Sequence, residues 1–177
     1  NWCLLYQYII IMKAILLTAA LLFSFSVLTT AQSKSPKMSV EGSVEGVNIV
    51  IDYSAPSVRE REIWGELVPY DKVWRTGANE ATTVEFDKPV IIDGSELPAG
   101  KYALFTIPSM DKWTIIFNSD PNQWGAYKYD PSLDVLRLET GIQPADHQEQ
   151  MEISLKDNHL NIQWEKSLVS LTLAAKG

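Results

Sequence analysis

Along most of this chain, apolar and polar residues alternate with a period of two, in runs of three to seven residues separated by turn-forming pairs. That pattern constrains the fold more than any other feature. Successive side chains of a strand point to opposite faces, so a period of two puts one set on a core and leaves the other in water. Val47, Ile49, Ile51 and Tyr53 alternate in this way with Asn48, Val50 and Asp52. Glu45-Gly46 can turn this run back on Met38 to Val44. Further strands are expected over 82–86, 90–92, 101–107, 112–118, 135–139, 150–156, 159–165 and 168–173. Asp93-Gly94 and Asp157-Asn158 are tight-turn pairs, Pro98-Ala99-Gly100 ends a loop, and Pro108 interrupts one strand before Trp113 opens the next. Many short strands at this spacing predict an all-β, single-domain antiparallel β-sandwich, in a jelly-roll or Ig-like arrangement, with long loops and at most one short helix. The helical possibility lies over Val58–Leu67, where Gly65 and Pro69 limit it to a turn or two.

The amino-terminal part follows different rules. Residues 1–11 read as an upstream extension with no fold of their own, whereas Met12 opens a segment with one cation, Lys13, and an apolar run from Ala14 to Leu28. Thr29, Thr30 and Ala31 then supply small residues. This is the layout of a signal peptide cleaved near Ala31-Gln32, and the run is shorter than the roughly 20 residues a spanning helix needs. The expectation is a secreted or periplasmic domain over residues 32–177, with no membrane span after cleavage. Removal of the leader takes away Cys3, the single cysteine, and leaves 14 Lys+Arg against 22 Asp+Glu, a net charge of −8. Disulfides, thiolate metal sites and cysteine nucleophiles are thereby excluded from the domain. An acidic balance without a basic cluster argues against nucleic acid and anionic membranes as partners. A chain of this length can stabilise a core without staples.

The least strand-like stretch holds the richest chemistry. Between Ser54 and Ala81 runs a connection far longer than a hairpin loop, carrying Arg59, Arg61, Trp64, Glu66, Tyr70, Trp74, Arg75, Asn79 and Glu80. No nucleophile elbow, zinc-binding HExxH pair or phosphate-cradling glycine loop occurs in the chain. His147 and His159 are spaced as surface residues rather than as metal ligands, and neither a metal nor a cofactor is expected. Within Arg75-Thr76-Gly77-Ala78-Asn79-Glu80, Arg75 offers a planar bidentate donor, while Asn79 and Glu80 offer an amide and an acceptor for polyol recognition. The competing structural reading pairs Arg75 with Glu80 or Asp52, uses Asn79 to cap the turn and buries Trp74. Trp113 and Trp164 share the parity of apolar neighbours and belong to the core. Trp124 instead follows Pro121, Asn122 and Gln123 and precedes Gly125, a loop setting in which its ring can stack on a sugar or anchor the loop. Glu66 and Glu80 are the acid pair a glycoside-cleaving mechanism would use.

Three stretches carry a family resemblance. They are the run from Tyr53 to Thr82 through Ile63-Trp64-Gly65-Glu66-Leu67 and Trp74-Arg75-Thr76-Gly77-Ala78-Asn79-Glu80, the run Leu97 to Pro108, and Trp113 to Asn118 with Asn122-Gln123-Trp124-Gly125-Ala126-Tyr127. Together they resemble the DUF2911 family over roughly Ser35 to Leu173, with a departure at Val58-Arg59-Glu60-Arg61, where that family often has a Lys-Gly-Arg element. The resemblance implies an exported, single β-rich domain and supplies no reaction.

The functional expectation is a non-catalytic binding module for a small polar or carbohydrate ligand, its site built by Arg75, Asn79, Glu80, Trp74, Trp124 and Asn122 where the two loops converge. The alternatives are a carboxylate-dependent hydrolase and a structural or protein-interaction domain of the cell envelope.

Overall fold

The computed structural model describes residues 35–177; the expected upstream extension and signal peptide lie outside the described residues. Ten strands form: β1 (Lys37–Val44), β2 (Val47–Ser54), β3 (Thr82–Phe86), β4 (Val90–Ile92), β5 (Ser95–Leu97), β6 (Gly100–Pro108), β7 (Lys112–Asn118), β8 (Asp134–Gly141), β9 (Gln143–Lys156) and β10 (His159–Ala175). Their pairing is antiparallel in two sheets, a six-stranded one ordered β1-β2-β3-β6-β7-β8 and a four-stranded one ordered β5-β4-β10-β9. The domain is thus an all-β sandwich.

Turn chemistry sets the hairpins. Glu45-Gly46, Asp93-Gly94 and Asp157-Asn158 each have both φ angles positive, from 44° to 82°. These are two-residue turns whose twist matches the flanking strands. Pairing runs from Val44↔Val47, Ile92↔Ser95 and Lys156↔His159 outward.

Three features depart from the alternation. β5 is an additional short strand, and β9 starts at Gln143, seven residues before the alternating run at Gln150. The two expected strands after His159 are one, β10, bent by register shifts about Glu165, whose φ is 55°. No helix forms over Val58–Leu67: Arg59 and Glu60 take left-handed φ values of 50° and 57°, Gly65 takes 95°, and the chain folds into turns. One 3-10 turn, Pro131–Leu133, is capped by Asp130, whose carboxylate accepts from the Ser132 backbone N–H.

Between the sheets lie the inward rows, including Ile49, Ile51, Val84, Leu104, Ile115, Phe117, Ile153, Leu160, Ile162 and Leu171. Four tryptophans meet in this core. Trp64, Trp74, Trp113 and Trp164 contact one another with ring centroids 4.7 to 6.1 Å apart, mostly edge to face, and Trp74 stacks on Trp164. Such pairs add about 0.5–1.5 kcal/mol each beyond area burial.

The long Ser54–Ala81 connection ties the sheets together. Its first part bonds to β9, with Val58 N–H donating to Glu149 O and Met151 N–H donating to Pro56 O. Its last part extends the place of β3 beside β6: Trp74 and Thr106 exchange backbone hydrogen bonds of 2.8 and 2.9 Å. A second, smaller apolar cluster of Ala81, Ala103, Phe105 and Ile116, joined by Val73, Ile107, Ala126 and Tyr129, covers part of the six-stranded sheet on its outer face.

Candidate functional site

Register, rather than composition, assembles the site. Ser39 pairs with Asp52, Asp52 with Thr83, Thr83 with Ala103, Ala103 with Asn118, and Asn118 with Asp134. The first five have the parity opposite the core, and a register shift between Phe117 and Asn118 brings Asp134 to the same side, so they form one cross-strand row over the outer face of the larger sheet. At the β7 and β8 end the row is covered by the 119–133 loop. At the β1 and β2 end it is open, and the floor of a cleft of about 650 Å³ forms there. Lys37, Ser39, Asp52, Ser54 and Thr83 line that floor, with Glu80, Asn122, Gln123 and Trp124 as walls.

Asn118 fixes the wall that carries Trp124. Fully buried, its Nδ2 donates to Asp130 O at 3.0 Å and to Asp134 Oδ1 at 2.8 Å. Its Oδ1 accepts from Asp120 N–H at 3.1 Å and from Gln123 Nε2 at 3.3 Å. Gln123 Nε2 also donates to Asp120 O at 2.9 Å. All four hydrogen-bonding positions of one amide are therefore used to hold the loop. Asp134 is held in turn by the Tyr129 hydroxyl at 2.5 Å and Arg137 Nη1 at 2.7 Å. Burial, and then the Asp134 carboxylate, pushes the Tyr129 hydroxyl up to about 12.

The two loops converge as the sequence suggests. Ala81 N–H donates to Gln123 O at 2.9 Å, Gly125 N–H donates to Asn79 O at 3.0 Å, and Glu80 and Trp124 form an antiparallel bridge. Asn79 contributes through its backbone, in a left-handed conformation at φ 60°. Glu80, Asn122 and Trp124 line the cleft, and the Trp124 side chain is 62% exposed there. Trp74 does not line it. The antiparallel bridge to Thr106 turns its ring inward to the tryptophan cluster, where its Nε1 donates to Gly77 O at 3.1 Å. Arg75 lies behind the Trp124–Gly125 segment rather than in the cleft lining, with Nη1 3.8 Å from the position a Gly125 Cβ would take. It pairs with neither Glu80 nor Asp52. Glu80 meets Lys37 at 3.1 Å, and Asp52 accepts from Ser39 Oγ at 2.8 Å and lies 3.6 Å from Lys101 Nζ.

Electrostatics limit the chemistry. Glu80's own backbone N–H, and then Lys37, hold its carboxyl below the usual carboxylate range. It is an ionised acceptor at neutral pH, the opposite of the raised carboxyl that a general acid needs. Glu66 sits on the exposed turn closed by Val68 N–H donating to Ile63 O, outside the cleft lining. Among the described residues no cluster of three or more His, Cys, Asp or Glu is arranged to hold a metal ion. No helix among them is long and apolar enough to cross a membrane.

Lys37, Ser39, Asp52, Ser54 and Thr83 are the polar cleft residues that motif reading missed. Alternation already marks Ser39, Asp52 and Thr83 as outward-facing, but only register brings three separate strands into one row.

These features define a two-sheet β-sandwich domain with a loop-walled polar and aromatic cleft on the outer face of its larger sheet. The chain belongs to the family described as Protein of unknown function (DUF2911), whose profile matches residues 35–173. No curated protein and no solved structure matches it.

Proposed function

We propose that the domain is a non-catalytic binding module and that its cleft takes a carbohydrate or similarly polyhydroxylated small molecule. The observation that carries this reading is the exposed Trp124 ring standing over a floor of short polar side chains. A sugar offers an apolar ring face to an aromatic and hydroxyls to a polar row, and the cleft supplies both in one concavity. Asp52 and Glu80 serve as acceptors, Lys37 and Asn122 as donors, and the Ser39 and Thr83 hydroxyls as either. A volume of about 650 Å³ suits a small ligand of one or a few rings.

The reading is tested by titrating neutral mono- and oligosaccharides while following tryptophan emission. A bound sugar covers Trp124, so emission shifts to the blue in the native protein and not in Trp124→Ala. Saturable binding with no emission change in the native protein would place the ligand elsewhere. We also propose that residues 12–31 direct export; the mass of the product recovered outside the cytoplasm should correspond to a chain beginning at Gln32.

A further inference from the structure

We infer that Arg75, with the Tyr127 ring packed on Gly125 beside it, forms a separate oxyanion site behind the cleft wall, taking a carboxylate or phosphate group. Val73 packs in the outer-face apolar cluster and Trp74 in the inner core, so alternation carries the Arg75 side chain to the outer face. There its Nη1 and the Tyr127 ring flank the same point. A Cβ on Gly125 would stand 3.8 Å from Nη1 and 2.9 Å from two Tyr127 ring carbons, and Tyr127 itself is 86% exposed.

Arg75 Nε is buried and has no hydrogen-bond partner, and the guanidinium makes no ion pair among the described residues. The other arginines with described partners are satisfied. Arg61 donates to the carbonyls of Val58 and Ser57, and Arg137 bonds Asp134. Acidic residues are not scarce, at 22 against 15 basic, but Glu80 and Asp52, the partners that the sequence suggested for Arg75, are engaged by Lys37 and Lys101. A partly desolvated cation without a counter-charge is unfavourable, and an entering oxyanion reduces that cost by accepting from the Nη N–H groups of its planar guanidinium. Glycine at position 125 lets the Tyr127 ring close against the backbone beside Nη1.

The test reads the Arg75 Nε–H signal by NMR in the nitrogen-labelled protein during separate titrations with inorganic phosphate and malonate. A saturable shift of that signal is expected, with affinity reduced about tenfold or more in Arg75→Lys, which keeps the charge and loses the fork. Response to phosphate alone or malonate alone identifies the oxyanion's source as phosphoryl or carboxyl. Trp124→Ala should leave the response intact, which separates this site from the cleft. An unmoved signal in both titrations overturns the proposal, as does undiminished affinity in Arg75→Lys. Should that variant fail to fold, the native titration alone decides, by the presence or absence of the saturable shift.

Discussion

Two tryptophans show how residue type and position divide between packing and recognition. Trp164 is 2% exposed and stacks on Trp74, whereas Trp124 is 62% exposed and belongs to a loop held by other residues. Trp164→Ala should therefore cost about 3–5 kcal/mol in denaturant unfolding. Trp124→Ala should change stability by no more than about 0.5 kcal/mol while removing ligand binding. Tyr129 gives a residue-level prediction in pH. Its folded pKa of about 12 exceeds the ordinary value of 10.0, so its hydroxyl contributes stability that is fully present below pH 10.0 and is lost as pH rises through about 12. Solvent screening of this partly exposed group keeps the contribution to about 1 kcal/mol. Unfolding measured across that interval should show a shallower decline in Tyr129→Phe than in the native protein, and an unchanged slope would remove Tyr129 as its source.

At the scale of elements, the cleft depends on two loops laid over a sheet. Gly77 lets the first approach closely: a Cβ there would stand 3.0 Å from Ser54 O and 3.0 Å from Thr82 Oγ1. Gly77→Ala should lower stability by about 1–3 kcal/mol, through overpacking against backbone that cannot withdraw, as read by thermal unfolding. Asn118 anchors the second loop without lining the cleft, so Asn118→Ala should weaken ligand binding as well as stability. The alternation made most strands legible, because a period of two is local and records which side faces the core. It could not reveal the first half of β9, where Gln143, Pro144, Asp146 and Gln148 lack an apolar parity, nor the continuity of β10 through the bend at Glu165. The convergence of the two loops was legible from their composition. Register was not, and with it went Ser39, Asp52 and Thr83 as a single row. Trp74 and Arg75 illustrate the same limit: adjacent in sequence, they face opposite sides of the sheet.

For the molecule as a whole, the long connection from Ser54 to Ala81 is a working part of the sandwich, bonded to β9 at one end and to β6 at the other. The tryptophan core, the outer-face apolar cluster and the cleft thus share one covalent segment. A ligand that binds only the folded domain should raise its melting temperature with concentration. The most direct measurement of the central claim is calorimetric titration of a panel of neutral saccharides into the native protein and Trp124→Ala. Saturable heat with at least one saccharide, abolished by the substitution while the domain stays folded, is the predicted result. Absence of binding across the panel, or equal binding by both proteins, would contradict the assignment of the cleft as a carbohydrate site.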